Sequence, residues 1–139
     1  MKQVEQFTND YEWLSNFYPV LIWLDHISYG SVEHAYQAAK SLDAVYRDLI
    51  KSCQTANLAK QLGKKIRLRP NWDSIKLEIM FGLLRQKFSN PELKQKLLGT
   101  KGIELIEGNW WNDTYWGVCN GHGENKLGKL IMKVREELE

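Results

Sequence analysis

Residues 31–40, SVEHAYQAAK, predict a short helix whose two faces differ in chemistry. Ser31 suits the N-cap position, because its hydroxyl can accept a hydrogen bond from the backbone N–H groups of the first turn. At 100° per residue, one face carries only small or apolar residues, namely Val32, Ala35 and Ala39. The opposite face is formed by Glu33, Tyr36, Gln37 and Lys40. Because the apolar face is small, we expect this helix to pack closely against its neighbours.

The polar face of this helix has two interpretations. Glu33 and Lys40 are seven residues apart, which corresponds to a rise of about 10.5 Å along the helix axis. This separation excludes an ordinary ion pair between residues i and i+4. In the first interpretation, Glu33 stabilises the positive end of the helix dipole and Lys40 is solvated. In the second, the face is the wall of a site with an acid at one end and an amine at the other. The spacing alone does not choose between them.

The flanking sequence predicts an α+β fold. Residues 20–24 and 27–29 are rich in β-branched and aromatic residues and are separated by Asp25-His26, which indicates a β-hairpin. Further helices are predicted at residues 44–51, 56–62, 73–88, 92–98 and 125–137. The alternation of residues 102–109 predicts a strand that pairs with residues 114–119. We therefore expect residues 1–139 to form a single compact domain that is mostly helical and contains a small antiparallel sheet.

Composition narrows the class of protein. The net charge of +2 is too small to indicate binding to nucleic acid or to a membrane, and the longest mostly apolar run, residues 17–24, is too short to span a membrane. Cys53 and Cys119 are far apart in a chain without a secretory signal pattern, which predicts reduced thiols and a cytoplasmic protein. The histidines are scattered, so we expect no metal and no other cofactor. The oligomeric state is not predicted.

Residues 11–19, YEWLSNFYP, combine aromatic and polar side chains. Ser15 and Asn16 lie between Trp13 and Phe17. Ser-Asn is common in turns, which is one explanation of the segment. In the other, the aromatic rings stack on a flat substrate and Ser15 or Asn16 forms a hydrogen bond with it.

Residues 108–117, GNWWNDTYWG, place Asp113 among four large aromatic side chains. A carboxylate in apolar surroundings can have a raised pKa and act as a general acid or base. The alternative is that Asn112-Asp113 forms a simple hairpin turn. A simple turn does not require four large aromatic residues, which favours the functional interpretation.

Two other segments suit phosphate recognition. Residues 117–130, GVCNGHGENKLGKL, form a glycine-rich loop before the last helix, and exposed amides at a helix N-terminus bind phosphate. A GxGxxG fingerprint is excluded because Lys126 occupies the third glycine position, and a plain loop explains the segment equally well. Residues 60–72 are the densest basic stretch and include Arg69. This stretch either contacts phosphate or is a solvated connector.

Together these segments resemble the NADAR family, also called YbiA-like, which is linked to NAD and ADP-ribose metabolism. The matching pieces are WLSNFYP, SVEHAYQAAK, IRLRPNWDSIKLEIMFGLLRQKF and NDTYWGVCNGHGENKLGKLIMKVR. They occur in this order and extend from about residue 7 to residue 135. Trp13 stands where phenylalanine is frequent in the family, and residues 41–60 carry no family signature.

The resemblance implies an N-glycosidase that hydrolyses the C1′–N bond of a ribose phosphate. Some family members cleave phosphorylated intermediates of riboflavin synthesis, and others remove ADP-ribose from guanine in nucleic acid. The substrate would thus be a small ribose phosphate or an ADP-ribosylated nucleic acid. The alternative is a module that binds ADP-ribose or NAD without turnover, although the joint presence of Glu33, Lys40 and Asp113 favours an enzyme.

The resemblance also assigns residue roles. Glu33 and Asp113 would be the catalytic carboxylates, and Lys40 would either contact a phosphate or hydroxyl group or capture the opened sugar as an imine. The substrate-binding residues would be Trp13, Ser15, Asn16, Tyr36, Arg69, Trp116, Gly123, Asn125 and Gly128.

Overall fold

The helix predicted at residues 31–40 is present as Val32–Ala39 in the computed structural model, which describes residues 2–139. Ser31 has extended backbone angles, and its hydroxyl accepts a hydrogen bond from the backbone N–H of His34 at 3.1 Å, which confirms the predicted N-cap. In chain order the elements are β1 Gln3–Val4, a 3₁₀ helix Asn9–Leu14, β2 Ile22–Leu24, β3 Ile27–Tyr29, α1 Val32–Ala39, α2 Ala44–Ser52, α3 Ala56–Gly63, α4 Trp72–Lys87, α5 Pro91–Leu98, β4 Glu104–Leu105, β5 Gly108–Asn109, β6 Val118–Cys119 and α6 Lys126–Leu138.

The contacts of the chain divide it into two compact units. One unit is Asn16–Lys87 and contains β2, β3 and α1 to α4. The other contains β1, the 3₁₀ helix and all elements after α4. The prediction that residues 1–139 form a single domain stays a prediction.

In the unit Asn16–Lys87, the predicted hairpin is confirmed. β2 and β3 are antiparallel, with Ile22 opposite Tyr29 and Leu24 opposite Ile27. Asp25 and His26 form the connection and both have positive φ, of 49° and 69°, as a type I′ turn requires.

The centre of this unit is α1, which lies against α2, α3, α4 and the hairpin. All eight residues of α1 are buried. The small side chains of Ala35, Ala38 and Ala39 permit this close approach, as the narrow apolar face predicted.

In the other unit the α+β prediction is confirmed, but the pairing of its short strands differs from the prediction. β1 pairs with β4, and β5 pairs with β6, and both pairs are parallel. The predicted pairing between residues 102–109 and 114–119 is present, with Gly108 opposite Val118. However, the chain returns through the loop 110–117 to the end at which β5 began before β6 starts. The two strands therefore run in the same direction, and of the three strand pairs within residues 2–139 only the hairpin is antiparallel.

Candidate active site

The polar face of α1 is buried, not solvated. Glu33 is 8% exposed and Gln37 is 4% exposed. Tyr36 is buried as well, and Lys40, directly after the helix, is half-buried. Burial of a carboxylate and an amine carries a desolvation cost that a solvated face would avoid. The interpretation of this face as solvent-exposed is therefore wrong.

Glu33 is a buried acid without a counter-ion in contact. Its Oε2 accepts a hydrogen bond from Gln37 Nε2 at 2.6 Å, and within the described residues the carboxyl group forms no ion pair. Burial raises the pKa of Glu33 above its ordinary value, while the hydrogen bond from Gln37 and the positive charges of Lys60 and Lys40 act in the opposite direction. The result is a carboxyl group whose proton is held more tightly than that of an exposed glutamate.

Lys40 is a half-buried amine whose pKa is lowered. Burial is the main cause, Glu33 opposes it, and a group of nearby lysines lowers the pKa further. These lysines are Lys60, Lys76 and Lys64. The ammonium nitrogen of Lys40 lies 5.8 Å from the centroid of the Tyr36 ring. Such surroundings favour the neutral amine, which is the form that attacks a carbonyl carbon.

The end of α1 that carries Lys40 is held by side chains from other elements. The Tyr46 hydroxyl donates to the carbonyl of residue 37 at 2.7 Å, and Arg47 Nε donates to that of residue 38 at 3.2 Å. Arg69 donates to the carbonyl of residue 39 through Nη1 at 3.4 Å, and its backbone N–H donates to the carbonyl of residue 40 at 2.8 Å. The last carbonyl groups of a helix lack partners within the helix, and here each of these four has a donor from elsewhere in the unit. The backbone of Lys40 is thereby fixed.

Arg69 was predicted to contact phosphate. The structure places it half-buried beside Ala39 and Lys40, with one guanidinium nitrogen directed at a backbone carbonyl. Its phosphate contact stays a prediction.

Three residues of this neighbourhood were not among the predicted site residues: Gln37, Lys60 and Trp72. The ring of Trp72 lies 5.3 Å from that of Tyr36 at an angle of 50°. The i,i+4 spacing of Glu33 and Gln37 was visible in the sequence and could have indicated their contact. Lys60 and Trp72 belong to α3 and α4, and no local pattern relates them to α1.

Asn16 lies at the start of the same unit and holds the beginning of α1. Its carbonyl accepts a hydrogen bond from the backbone N–H of Glu33 at 3.0 Å. Its Nδ2 contacts the sulfur of Met80 at 3.6 Å, and its Oδ1 is buried without a hydrogen-bond partner in the described part of the chain.

Trp13 and Ser15 belong to the other unit. The indole of Trp13 is 6% exposed, donates to the carbonyl of Asp10 at 3.0 Å and contacts the edge of Phe88 at 6.3 Å between ring centroids. Ser15 is half-buried, and its backbone N–H donates to the carbonyl of Glu12. These contacts give Trp13 a role in packing, and its stacking on a substrate stays a prediction.

Asp113 organises the aromatic loop of that unit. Its Oδ1 accepts hydrogen bonds from the backbone N–H groups of Tyr115 at 3.1 Å and Trp116 at 2.9 Å. Asn109 forms two further hydrogen bonds with the backbone of Asp113. Trp116 is half-buried and meets Tyr115 edge-on, with ring centroids 4.9 Å apart. The turn interpretation of Asp113 therefore has direct support, although its second carboxylate oxygen is not used by these bonds.

The glycine-rich loop is held against residues 105–107 by hydrogen bonds of Asn125. Asn125, at the N-cap of α6, accepts from the backbone N–H of Glu107 at 2.9 Å and donates to the carbonyl of Leu105 at 3.0 Å. At Gly128, a Cβ would lie 2.2 Å from the same Leu105 carbonyl oxygen, and at Gly123 one would lie 2.2 Å from a backbone oxygen. The hydrogen bonds of Asn125 and the lack of space for a side chain at Gly123 and Gly128 therefore explain these three residues structurally. Their predicted contacts with phosphate or ribose remain untested.

The predicted site residues thus fall into two groups. The unit Asn16–Lys87 contains Asn16, Glu33, Tyr36, Lys40 and Arg69. The other unit contains Trp13, Ser15, Asp113, Trp116, Gly123, Asn125 and Gly128. Within residues 2–139 there is no group of three or more metal-ligating side chains, and no helix has the length and apolar character needed to cross a membrane. Cys53 and Cys119 are both free thiols.

Comparison with known proteins connects this geometry to a family. The model of the NADAR domain matches residues 3–139. The chain is 39% identical over 135 residues to the N-glycosidase YbiA of Shigella boydii, which covers 94% of this chain and 84% of the relative. It is 37% identical over 130 residues to a riboflavin biosynthesis protein of Vibrio vulnificus, covering 91% of this chain and 35% of that protein.

The fold is shared with a solved structure. The NMR structure of the Escherichia coli protein YbiA superimposes with a TM-score of 0.83 and 37% sequence identity, covering 99% of this chain and 89% of that one. The resemblance found in the sequence is therefore confirmed, and the chain belongs to the NADAR domain family.

Proposed function

We propose that this protein is an N-glycosidase that hydrolyses the C1′–N bond of a phosphorylated ribosyl substrate, of the kind formed in riboflavin biosynthesis. The observation that carries the proposal is the pairing, on one short stretch, of a buried carboxyl group with a raised pKa and a lysine with a lowered pKa. Groups with perturbed pKa values cluster at functional sites. The reaction class of the proposal comes from relatives that are named N-glycosidases.

The chemistry of the bond assigns the carboxylates. Cleavage leaves the electron pair with the departing nitrogen and develops positive charge on C1′, while water supplies the new C1′–O bond and the proton that the nitrogen takes up. A carboxylate close to C1′ stabilises the positive charge, and an acid or base moves the proton. We assign Glu33 to this chemistry on the basis of its burial. Asp113 is the second carboxylate of the proposal, with Oδ2 as the oxygen available for it.

Lys40 has two roles within the proposal. Its lowered pKa supports formation of an imine with the aldehyde of the opened sugar, which releases water and is later reversed by water. Alternatively, its positive charge contacts a phosphate or hydroxyl group of the substrate. The four lysines whose charges interact around this position suit an anionic substrate in either case.

The remaining predicted residues would bind the substrate. Trp13 and Trp116 would stack on the base or sugar, while Asn125, the amides near Gly123 and Gly128, and Arg69 would hold phosphate or ribose. Ser15, Asn16 and Tyr36 would supply hydrogen bonds.

Among the two substrate classes, the relatives favour the riboflavin pathway. Relatives in Vibrio vulnificus and Zea mays are named riboflavin biosynthesis proteins. ADP-ribose linked to guanine, the substrate of an ADP-ribosylglycohydrolase, shares the same C1′–N bond and is therefore included in the test.

The test is a turnover assay with three substrates offered separately. These are a ribosyl aminopyrimidine phosphate, DNA carrying ADP-ribosylated guanine, and NAD, and the released ribose phosphate or ADP-ribose is measured by mass spectrometry. We expect turnover of the first. Binding of ADP-ribose without turnover of any substrate would refute the enzyme and support a binding module.

Matched variants assign the residues. Glu33→Gln and Asp113→Asn should each lower kcat/KM by about 100-fold or more, whereas Glu78→Gln on the exposed face of α4 should not change it. Borohydride treatment during turnover should add the mass of the substrate to the wild type and not to Lys40→Ala. An adduct in both proteins would exclude Lys40 as the residue that forms the imine.

A further inference from the structure

The side-chain amide of Gln37 lies between Glu33 and α3. Its Nε2 donates a hydrogen bond to Glu33 Oε2 at 2.6 Å. Its Oε1 is buried and has no hydrogen-bond partner within residues 2–139. The whole residue is 4% exposed.

The Gln37 amide occupies the space beside Gly63, the last residue of α3. A Cβ on residue 63 would lie 1.8 Å from Gln37 Oε1 and 2.7 Å from Gln37 Cδ. Both separations are far below van der Waals contact, so only glycine at position 63 leaves room for the amide as it stands. The last residue of α3 thus leaves open the space in which the Gln37 amide reaches Glu33.

Packing alone does not explain a glutamine at this position. A buried acceptor without a donor destabilises the folded protein, and methionine would fill a similar volume without that cost. Within the part of the chain that the structure describes, the hydrogen bond to Glu33 is the one favourable polar contact of this side chain. The residue is therefore best explained by what this bond does to the carboxyl group.

We propose that Gln37 is a positioning residue for Glu33, whose amide nitrogen stabilises the ionised carboxylate and fixes its orientation on α1. The inference rests on the proposed function, because it assigns Glu33 the role of a carboxylate that stabilises positive charge at C1′. A hydrogen bond donated to the charged form favours ionisation, and burial opposes it.

Other charged groups near the carboxyl act in the same direction as the amide. They are His34 on α1, Lys40 directly after α1, and Lys60 on α3. A substitution that removes the amide and keeps these groups therefore measures what Gln37 alone contributes to the pKa of Glu33.

The experiment compares Gln37→Met with Gln61→Met, which makes the same chemical change at an exposed position of α3. The pKa of Glu33 is measured by NMR titration of its side-chain carboxyl carbon in the full-length protein. We expect the pKa to rise by about one unit in Gln37→Met and to stay unchanged in Gln61→Met. The limb of the kcat/KM profile that reports Glu33 should move to higher pH by the same amount.

Two results would overturn the proposal. An unchanged pKa would leave Gln37 with a packing role only. A lowered pKa would mean that the amide accepts a hydrogen bond from the protonated acid, which is the opposite of the proposed role. The NMR titration needs no substrate, so a protein that turns over nothing would refute the proposed function while this inference is still tested.

A measurement on the wild type covers the case in which Gln37→Met does not fold. The Nε2 protons of Gln37 should shift in the NMR spectrum as Glu33 ionises, with the same midpoint as its carboxyl carbon. Protons that do not respond to this titration would contradict the proposal.

Discussion

Gly63→Ala is the substitution whose effect the structure specifies most closely. The added methyl group would overlap the amide of Gln37, with 1.8 Å to Oε1 and 2.7 Å to Cδ. Gln37 is a flexible side chain, but it is buried, and we expect that an amide displaced by the methyl group loses its hydrogen bond to Glu33. The substitution therefore couples a steric overlap to the loss of the hydrogen bond that Gln37 donates to a buried carboxyl group.

The size of the effect follows from these two terms. Overpacking a core position costs about 1–3 kcal/mol, and leaving a buried polar group without its partner costs about 1–3 kcal/mol more. The higher helix propensity of alanine returns up to about 1 kcal/mol. We expect a net loss of about 1–6 kcal/mol in the free energy of unfolding. With an unfolding entropy of about 2.1 cal/mol/K per residue, this lowers Tm by about 3–20 °C for a chain of this length.

Thermal unfolding followed by circular dichroism measures this change, and Gly82→Ala is the matched control. Gly82 lies within α4, and a Cβ there meets nothing within 4 Å. The same Gly-to-Ala change should therefore raise Tm by about 2–3 °C. A Gly63→Ala variant whose Tm is within about 2 °C of the wild type would refute the reasoning that position 63 must be glycine to leave room for the Gln37 amide.

Three further predictions concern the charged residues around α1. Glu33→Gln should raise Tm at pH 8, and its difference from the wild type should shrink as the pH falls to 4.5. Because the pKa of Glu33 is raised in the folded state, the wild-type protein has its full stability below the unfolded pKa of 4.5 and loses stability as the pH rises through the folded pKa. A Tm difference that is constant between pH 4.5 and 8 would contradict this. Lys40→Arg should lower kcat by about 100-fold or more if Lys40 reacts as a neutral amine, since arginine stays protonated, whereas Lys129→Arg on the exposed face of α6 should keep full activity. Arg69→Ala should lower the free energy of unfolding by about 1 kcal/mol through loss of a donor at the end of α1, and a Tm equal to that of the exposed-residue control Arg67→Ala would show that this contact contributes nothing.

Local sequence predicted those parts of the fold whose cause is local. Ser31 supplies the cap of α1, and Asp25-His26 supplies the turn of the hairpin. The helix boundaries agree with the predictions to within one or two residues. Each of these features is determined by the chemistry of a few consecutive residues.

The strand pairs of the second unit could not be predicted in the same way. β1 pairs with β4, about one hundred positions later in the chain, and each strand is only two residues long. Two residues carry no periodicity, and the direction of pairing depends on the path of the chain between them. The parallel arrangement of β5 and β6 was missed for this reason.

The sequence by itself determined which side chains share the polar face of α1, because the helical repeat places residues 33, 36, 37 and 40 on one side whatever surrounds them. It could not determine that this face is buried. Burial arises because α2, α3 and α4 close around α1, and these contacts join residues that are far apart in the chain. The perturbed pKa values of Glu33 and Lys40 follow from that loss of solvent, so the chemistry of the face is a property of the tertiary structure.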